Sequence, residues 1–333
     1  MRLSVLDQSP VVYGGSARIS LHQSIELAAM AEKLDYYRYW AAEHHDSPGL
    51  ACTAPEILLS RIGSQTSVIR LGTGGLLLPH YSAYRAAELF HMLEALYPGR
   101  IDAGIGRAPG GMPRASLALS EGRPRNAARY PEQLEDLLNW LHDRPVEKYV
   151  YGEAKAGPSV RTAPPVWILG SSEKGAALAA AHGLPFTFAH FINEEETDRA
   201  AAVYVDQFQS SEWLDEPYFM AAASVVCAPT DKEAERLAKS VDLAVLSAEK
   251  GAPLPEIPHP EEAEAHDWSG YDGERQKENR RRLIVGSAKS AASQLQELAA
   301  RTKAQELMII SNLHSHENRM QSYRLIAEEL LHQ

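Results

Sequence analysis

The sequence predicts a (β/α)8 TIM barrel, a single domain over residues 1–333 with an insertion between its seventh and eighth strands. Two observations predict it. Eight short runs rich in Val, Ile, Leu and aromatic residues alternate with longer segments of helical period along nearly the whole chain. The glycine-rich stretch Arg100–Gly111, RIDAGIGRAPGG, begins as the fourth of those runs and makes its turn at that run's end, whereas a dinucleotide fold has about six strands and puts its glycine turn after the first. Pro109 also stands where the third glycine of a G-x-G-x-x-G turn would fall.

The elements follow in order. The first run, Leu3–Ser9, precedes the stripe Leu27, Met30, Ala31 and Leu34, whose spacing gives a helix one apolar face. Tyr36–Ala42, Ile69–Leu78 and Arg100–Gly106 are the next three strands, and Leu134, Leu137, Leu138 and Leu141 mark a helix before the fifth, Pro165–Ser171. Pro185–Phe191, Phe219–Ala228 and Glu306–Asn312 complete the set, and the stripe Met320, Tyr323, Ala327, Leu330 and Leu331 closes the chain with a helix. Between the last two strands, about Ala248–Arg282 is rich in Pro, Glu, His and Asp and has little periodicity. A segment of that size is expected to be a mobile lid or disordered.

Composition bounds the partners. A chain of 333 residues with 44% hydrophobic and 23% charged residues buries a sizeable core, and its net charge of -11 argues against nucleic acid. The basic cluster RQKENRRR, Arg275–Arg282, is balanced by the acidic stretch before it and reads as a solvated loop. Only Cys52 and Cys227 occur, the first residues do not read as a secretion signal, and no apolar run approaches the roughly 20 residues of a spanning helix. The expectation is a cytoplasmic protein with no membrane contact.

Barrel enzymes build their sites at the C-terminal ends of the strands, so those ends carry the functional candidates. The second strand ends in Glu43, His44, His45 and Asp46, the third runs to His80, the sixth to His190, and the eighth into His314 and His316. No metal is expected: a metal-dependent hydrolase barrel wants a His-x-His pair on its first strand, which here offers Asp7, Gln8 and Ser9. His190, His314 and His316 are as well explained by loop or capping roles. The fifth strand ends in Gly170, Ser171 and Ser172, where free N–H groups and hydroxyls meet the positive end of a helix. Alone this is a plain Ser cap. Arg107, from the loop after the adjacent fourth strand, adds a cationic fork, and together they favour a phosphate-bearing cofactor.

In this order, AEHH, LGTGGLLLPHYSAYRAAE, PGRIDAGIGRAPGG, WILGSS, AAAHGLPFTFAHF and RMQSYRLIAEEL resemble the bacterial luciferase-like flavin-dependent monooxygenases across nearly the whole chain. The resemblance implies a non-covalent FMN across the barrel mouth, used in its reduced form as co-substrate with O2 and supplied by a separate flavin reductase. It implies that Arg107 and Ser172, with Ser171 and Gly170 beside them, hold the phosphate. It implies a bulge with a cis peptide at Gly74–Gly75 under the flavin ring. His44 matches a histidine near the reacting face, where an imidazole exchanges protons near neutral pH, and His45 is its companion candidate. The insertion corresponds to a mobile loop over the flavin, with Trp268 and Tyr271 as its apolar surface, and the assembly to a homodimer.

One position departs from the pattern. Luciferases themselves carry a cysteine in the loop after the fourth strand, and this chain has Gly106, so no light emission is expected. The leading expectation is an FMN-dependent monooxygenase of two-component type acting on a small organic substrate. Two other readings keep the barrel: a deazaflavin-dependent dehydrogenase and a flavin-binding protein without turnover.

Overall fold

Ten parallel strands form one sheet that closes on itself. They are β1 (Arg2–Asp7), β2 (Arg38–Ala41), β3 (Arg70–Thr73), β4 (Leu76–Leu77), β5 (Ile101–Gly106), β6 (Val166–Gly170), β7 (Phe186–Ala189), β8 (Phe219–Ala228), β9 (Leu283–Ser287) and β10 (Glu306–Ile310). This computed structural model describes residues 1–123, 127–146, 151, 153–251 and 255–332. The ring runs β1, β2, β3, β5, β6, β7, β8, β10 and back to β1, a closed eight-stranded barrel with helices outside. β4 continues the line of β3 after Gly74 and Gly75 and pairs with the far end of β5. All eight strands expected from the sequence are present.

β9 was not expected. The long β8 explains it: Met220–Ser224 pair with β10 and close the barrel, while Ser224–Ala228 run on past the rim and pair with β9. The insertion, weakly periodic as it is in sequence, also carries secondary structure. It contains the helices Pro260–Ala265 and Gly270–Asn279 and the turn Arg280–Arg282, with residues 252–254 outside the described set. The basic cluster is therefore mostly helical, and its charges are used: Arg275 pairs with Glu249 at 2.8 Å and Arg280 with Asp242 at 2.6 Å.

Alternation along each strand sorts the side chains into two cores. Leu6, Trp40, Trp167, Met220, Met308 and Ile310 fill the barrel, while Leu3, Val5, Tyr39, Ile101, Phe186 and Phe188 face the helices. Helix starts are capped by short polar side chains, as at Ser82, whose hydroxyl accepts from Arg85 N at 3.1 Å, and Thr230, which accepts from Glu233 N at 3.2 Å.

The N-terminal end of the barrel is closed by buried charge. Arg38 reaches Asp102 and Glu306, each at 2.7 Å, and Arg70 reaches Asp102 at 2.6 Å. The two carboxylates raise the Arg38 pKa against the effect of burial, so this guanidinium stays charged. A cavity of about 480 Å³ opens beside it, lined by Arg38, Arg70, Asp102, Trp167, Trp213 and Tyr218. It lies at the opposite end from the candidate site.

Candidate functional site

Strand alternation separates the four polar residues after β2. Glu43 is buried, with Oε2 accepting the Leu77 N–H at 2.9 Å and Oε1 accepting the Tyr81 hydroxyl at 3.1 Å. The same Oε1 lies 2.8 Å from His45 Nε2. Asp46 turns outward to Arg114. His44 continues the inward series Trp40, Ala42, and its Nδ1 is closed off from solvent without a hydrogen-bond partner. Burial, with the neighbouring His45, pushes the His44 pKa down to about 4, so the imidazole is neutral near pH 7.

The glycine-rich stretch after β5 packs against this strand end. His45 N donates to Gly110 O at 2.7 Å, and a Cβ on Gly111 would fall 2.0 Å from His45 O. No side chain fits that approach, and Gly110 has φ +70°, which glycine adopts without steric cost. Gly106 is different: an added Cβ would meet only Leu77 Cδ2, at 3.8 Å, so this glycine leaves open space at the mouth. The peptide between Gly74 and Gly75 is cis, and Gly74 packs against Leu6 and Trp40.

Register brings the phosphate candidates together. Gly106 pairs with Leu169, so Arg107 and the Gly170–Ser172 turn leave adjacent strands side by side. Arg107 is exposed and has no ion pair among the described residues. Ser172 is the N-cap of the helix Glu173–Ala181 yet makes no side-chain cap bond. One backbone donor there is taken, since Glu173 N donates to Glu196 Oε2 at 3.2 Å. The Ser171 carbonyl accepts from Asn193 Nδ2 at 3.0 Å, which fixes the turn.

The remaining histidines have protein partners. His190 Nδ1 lies 2.8 Å from Thr197 Oγ1, His316 Nε2 lies 3.0 Å from Glu26, and the His314 ring stands 4.8 Å from that of His259. Two residues at the mouth that the sequence reading gave no role are Gln8 and Asn312, joined by a hydrogen bond of 2.6 Å from Asn312 Nδ2 to Gln8 Oε1. Tyr81 is a third, recognisable only through its bond to Glu43. Among the described residues no helix is long and apolar enough to cross a membrane.

Among the described residues, a cation without an ion pair, a serine at a helix start without a side-chain cap bond, an open glycine position and a neutral imidazole with an unpartnered nitrogen thus share one rim. That donor set suits a phosphate-bearing planar cofactor beside a proton-transfer group.

Comparison with known proteins gives the context. The family model described as luciferase-like monooxygenase matches residues 1–305. The chain is 44% identical to the uncharacterized protein YwcH of Bacillus subtilis (strain 168), covering 98% of each. It is 35% identical to the N-acetyl-S-alkylcysteine monooxygenase of the same organism, covering 99% of this chain and 98% of that one. Among solved structures, apo-MsnO8 matches with a TM-score of 0.91 and 37% identity over 98% of both chains. The fold is also that of the FMN-bound oxygenating constituent of 3,6-diketocamphane monooxygenase from Pseudomonas putida, with a TM-score of 0.75 and 20% identity, covering 99% of this chain and 98% of that one. It is shared too by an F420-dependent secondary alcohol dehydrogenase, with a TM-score of 0.71 and 13% identity over 97% of both chains.

Proposed function

The chain belongs to the luciferase-like monooxygenase family, and from that premise we propose that it binds reduced FMN at the C-terminal mouth of the barrel and oxygenates a small organic substrate with O2. The observation that carries this reading is Arg107, without an ion pair among the described residues, beside a helix start whose Ser172 hydroxyl leaves its own cap unmade. Arg107 and Ser172 would hold the phosphate, with Ser171 and Gly170 shaping the turn, since a guanidinium fork suits a dianion. Gly74 and Gly75 would line the site of the flavin ring, and Gly106 leaves open space at the mouth.

Bound there, reduced FMN would supply the two electrons that let one atom of O2 enter the substrate while the other leaves as water. The chain's residues supply position, proton transfer and dryness. Against the expectation of a pKa close to working pH, burial holds His44 neutral near pH 7, so it would take up and return a proton only with a group bound directly against it. His45 is held by Glu43. The insertion excludes water from the mouth. It is tied to the strand ends where Tyr13 N donates to Ile257 O and Ile257 N to Val11 O, both at 3.0 Å.

The reading includes a separate flavin reductase, a homodimer and no light emission, the last because Gly106 stands where luciferases themselves carry cysteine. The thioether chemistry of the N-acetyl-S-alkylcysteine monooxygenase makes small thioethers the first substrates to try. The test is incubation of the protein with FMN, a flavin reductase, NADH or NADPH as its electron donor and a thioether panel under ¹⁸O2. Label in a sulfoxide or cleaved product supports the reading. Oxidation of an alcohol without O2, with a deazaflavin in place of FMN, assigns the barrel to dehydrogenase chemistry instead.

A further inference from the structure

Gln8 and Asn312 come together through barrel closure. β1 and β10 run in register with Val5 beside Ile309, and the same offset brings Gln8 level with Asn312 just past the strand ends. Both face inward. Leu6 and Ile310, two residues earlier, lie in the barrel interior, while the flanking residues turn to the helices: Asp7 pairs with Arg319, Ser9 bonds Ser24, and Ser311 bonds Ser322.

A primary amide carries one acceptor oxygen and two N–H donors. A bond between two such groups leaves an acceptor on one and donors on the other, side by side. Here Asn312 Oδ1 is buried without a partner, and Gln8 Nε2 has none among the described residues. Exchanging oxygen and nitrogen in both amides reverses their mutual bond and still leaves one acceptor and one donor on the same edge. A buried acceptor without a partner is costly, and one beside a free donor suits a ligand that brings both complements.

We propose that Gln8 and Asn312 form a recognition edge for a planar ligand group that has N–H and C=O on the same side: an imide, a lactam or a primary amide. An ordinary trans secondary amide points its two groups in opposite directions and does not fit. The inference rests on the mouth being the ligand site. Two sources of this edge exist there, the imide of a flavin's pyrimidine ring and the substrate itself. In the ring of eight strands, the β1–β10 junction lies opposite the β5–β6 junction that carries Arg107 and Ser172. A ligand anchored at Arg107 and lying across the mouth meets the amide pair at its far end.

The test is equilibrium binding, with FMN and N3-methyl-FMN as probes. N3-methylation removes the imide N–H and keeps the phosphate and the ring. Wild-type protein is expected to prefer FMN on the order of tenfold or more, the cost of leaving one buried acceptor unpaired. Asn312→Leu and Gln8→Leu should abolish the preference. If FMN and N3-methyl-FMN bind alike, succinimide and N-methylsuccinimide are titrated into the FMN-loaded protein, and selective binding of succinimide that Asn312→Leu removes assigns the edge to the substrate. Equal binding within both probe pairs overturns the proposal, and the wild-type comparison needs no variant to fold. Failure of the mouth as a flavin site gives a different result: no saturable FMN binding that depends on Arg107.

Discussion

His45 Nε2 lies 2.8 Å from Glu43 Oε1, and that contact divides the labour of two adjacent histidines. Glu43 also accepts from Leu77 N and the Tyr81 hydroxyl, so His45 belongs to a fixed network, while His44 keeps a nitrogen without a partner. His44→Ala should leave FMN affinity within a few-fold and lower coupled oxygenation by roughly 10²–10⁴, the effect of losing a general acid or base. Release of H2O2 should rise. His45→Ala is the control: a variant dead in oxygenation beside an active His44→Ala reverses the two roles.

Stability should fall on mild acidification, with histidines as contributors. Burial pushes the pKa of His44, and likewise that of His190, down from 6.5 to about 4. Between those values the unfolded chain binds more protons than the folded one. Their contribution is therefore fully present above about pH 6.5, is lost as pH falls toward 4, and changes no further below that. Urea midpoints measured from pH 7.5 to 4.5 should drop less steeply for His44→Gln than for the wild type. Parallel slopes would show that His44 titrates normally in the fold.

Arg38 is the cation between Asp102 and Glu306 at the closed end of the barrel. Arg38→Met should destabilise by about 3–5 kcal/mol, because Glu306 is left buried without its charge partner. Adding Glu306→Gln should recover part of the loss, since the remaining group is then neutral. Chemical denaturation measures both. A loss under about 1 kcal/mol for the single variant would mean that water reaches the carboxylates and screens them.

Arg107→Ala should weaken FMN binding by about 1.5–3 kcal/mol, the range for hydrogen bonds to a charged group. Ser172→Ala should act in the same direction but less, because backbone N–H groups at the helix start remain. Flavin titration compares them. Equal losses would make the serine hydroxyl a principal ligand, and an unchanged Arg107→Ala would remove that residue from the site.

The insertion should open and close as a unit. Its second helix, Gly270–Asn279, buries only Gly273 and Asn279 and is held to the end of the preceding helix, Asp231–Glu249, by the ion pairs Arg275–Glu249 and Lys250–Asp272, each 2.8 Å. Limited proteolysis should cut residues 248–282 first in the free protein, with protection when flavin and substrate are bound together. Equal cutting in both states would deny it a lid function.

What the sequence revealed follows from how local each signal is. The eight barrel strands were readable because each is a short apolar run between helical stripes, Phe219–Ala228 even to its boundaries. β9 escaped because Leu283–Ser287 pairs only with the part of β8 that overshoots the barrel. The helix Gly270–Asn279 escaped because only Gly273 and Asn279 are buried, so no apolar stripe marks it. At the mouth, strand-end position singled out Glu43 and His44, but only the fold distinguishes the fixed carboxylate from the unpartnered imidazole. Gln8 and Asn312, 304 residues apart, could not be joined without barrel closure.

Flavin binding at the barrel mouth is tested most directly by equilibrium titration of the purified protein with FMN, reduced FMN and a deazaflavin, repeated on Arg107→Ala. Binding should be saturable, with reduced FMN preferred over the deazaflavin, and weakened by the Arg107 substitution. Tighter binding of the deazaflavin, or binding of FMN that Arg107→Ala leaves unchanged, would contradict it.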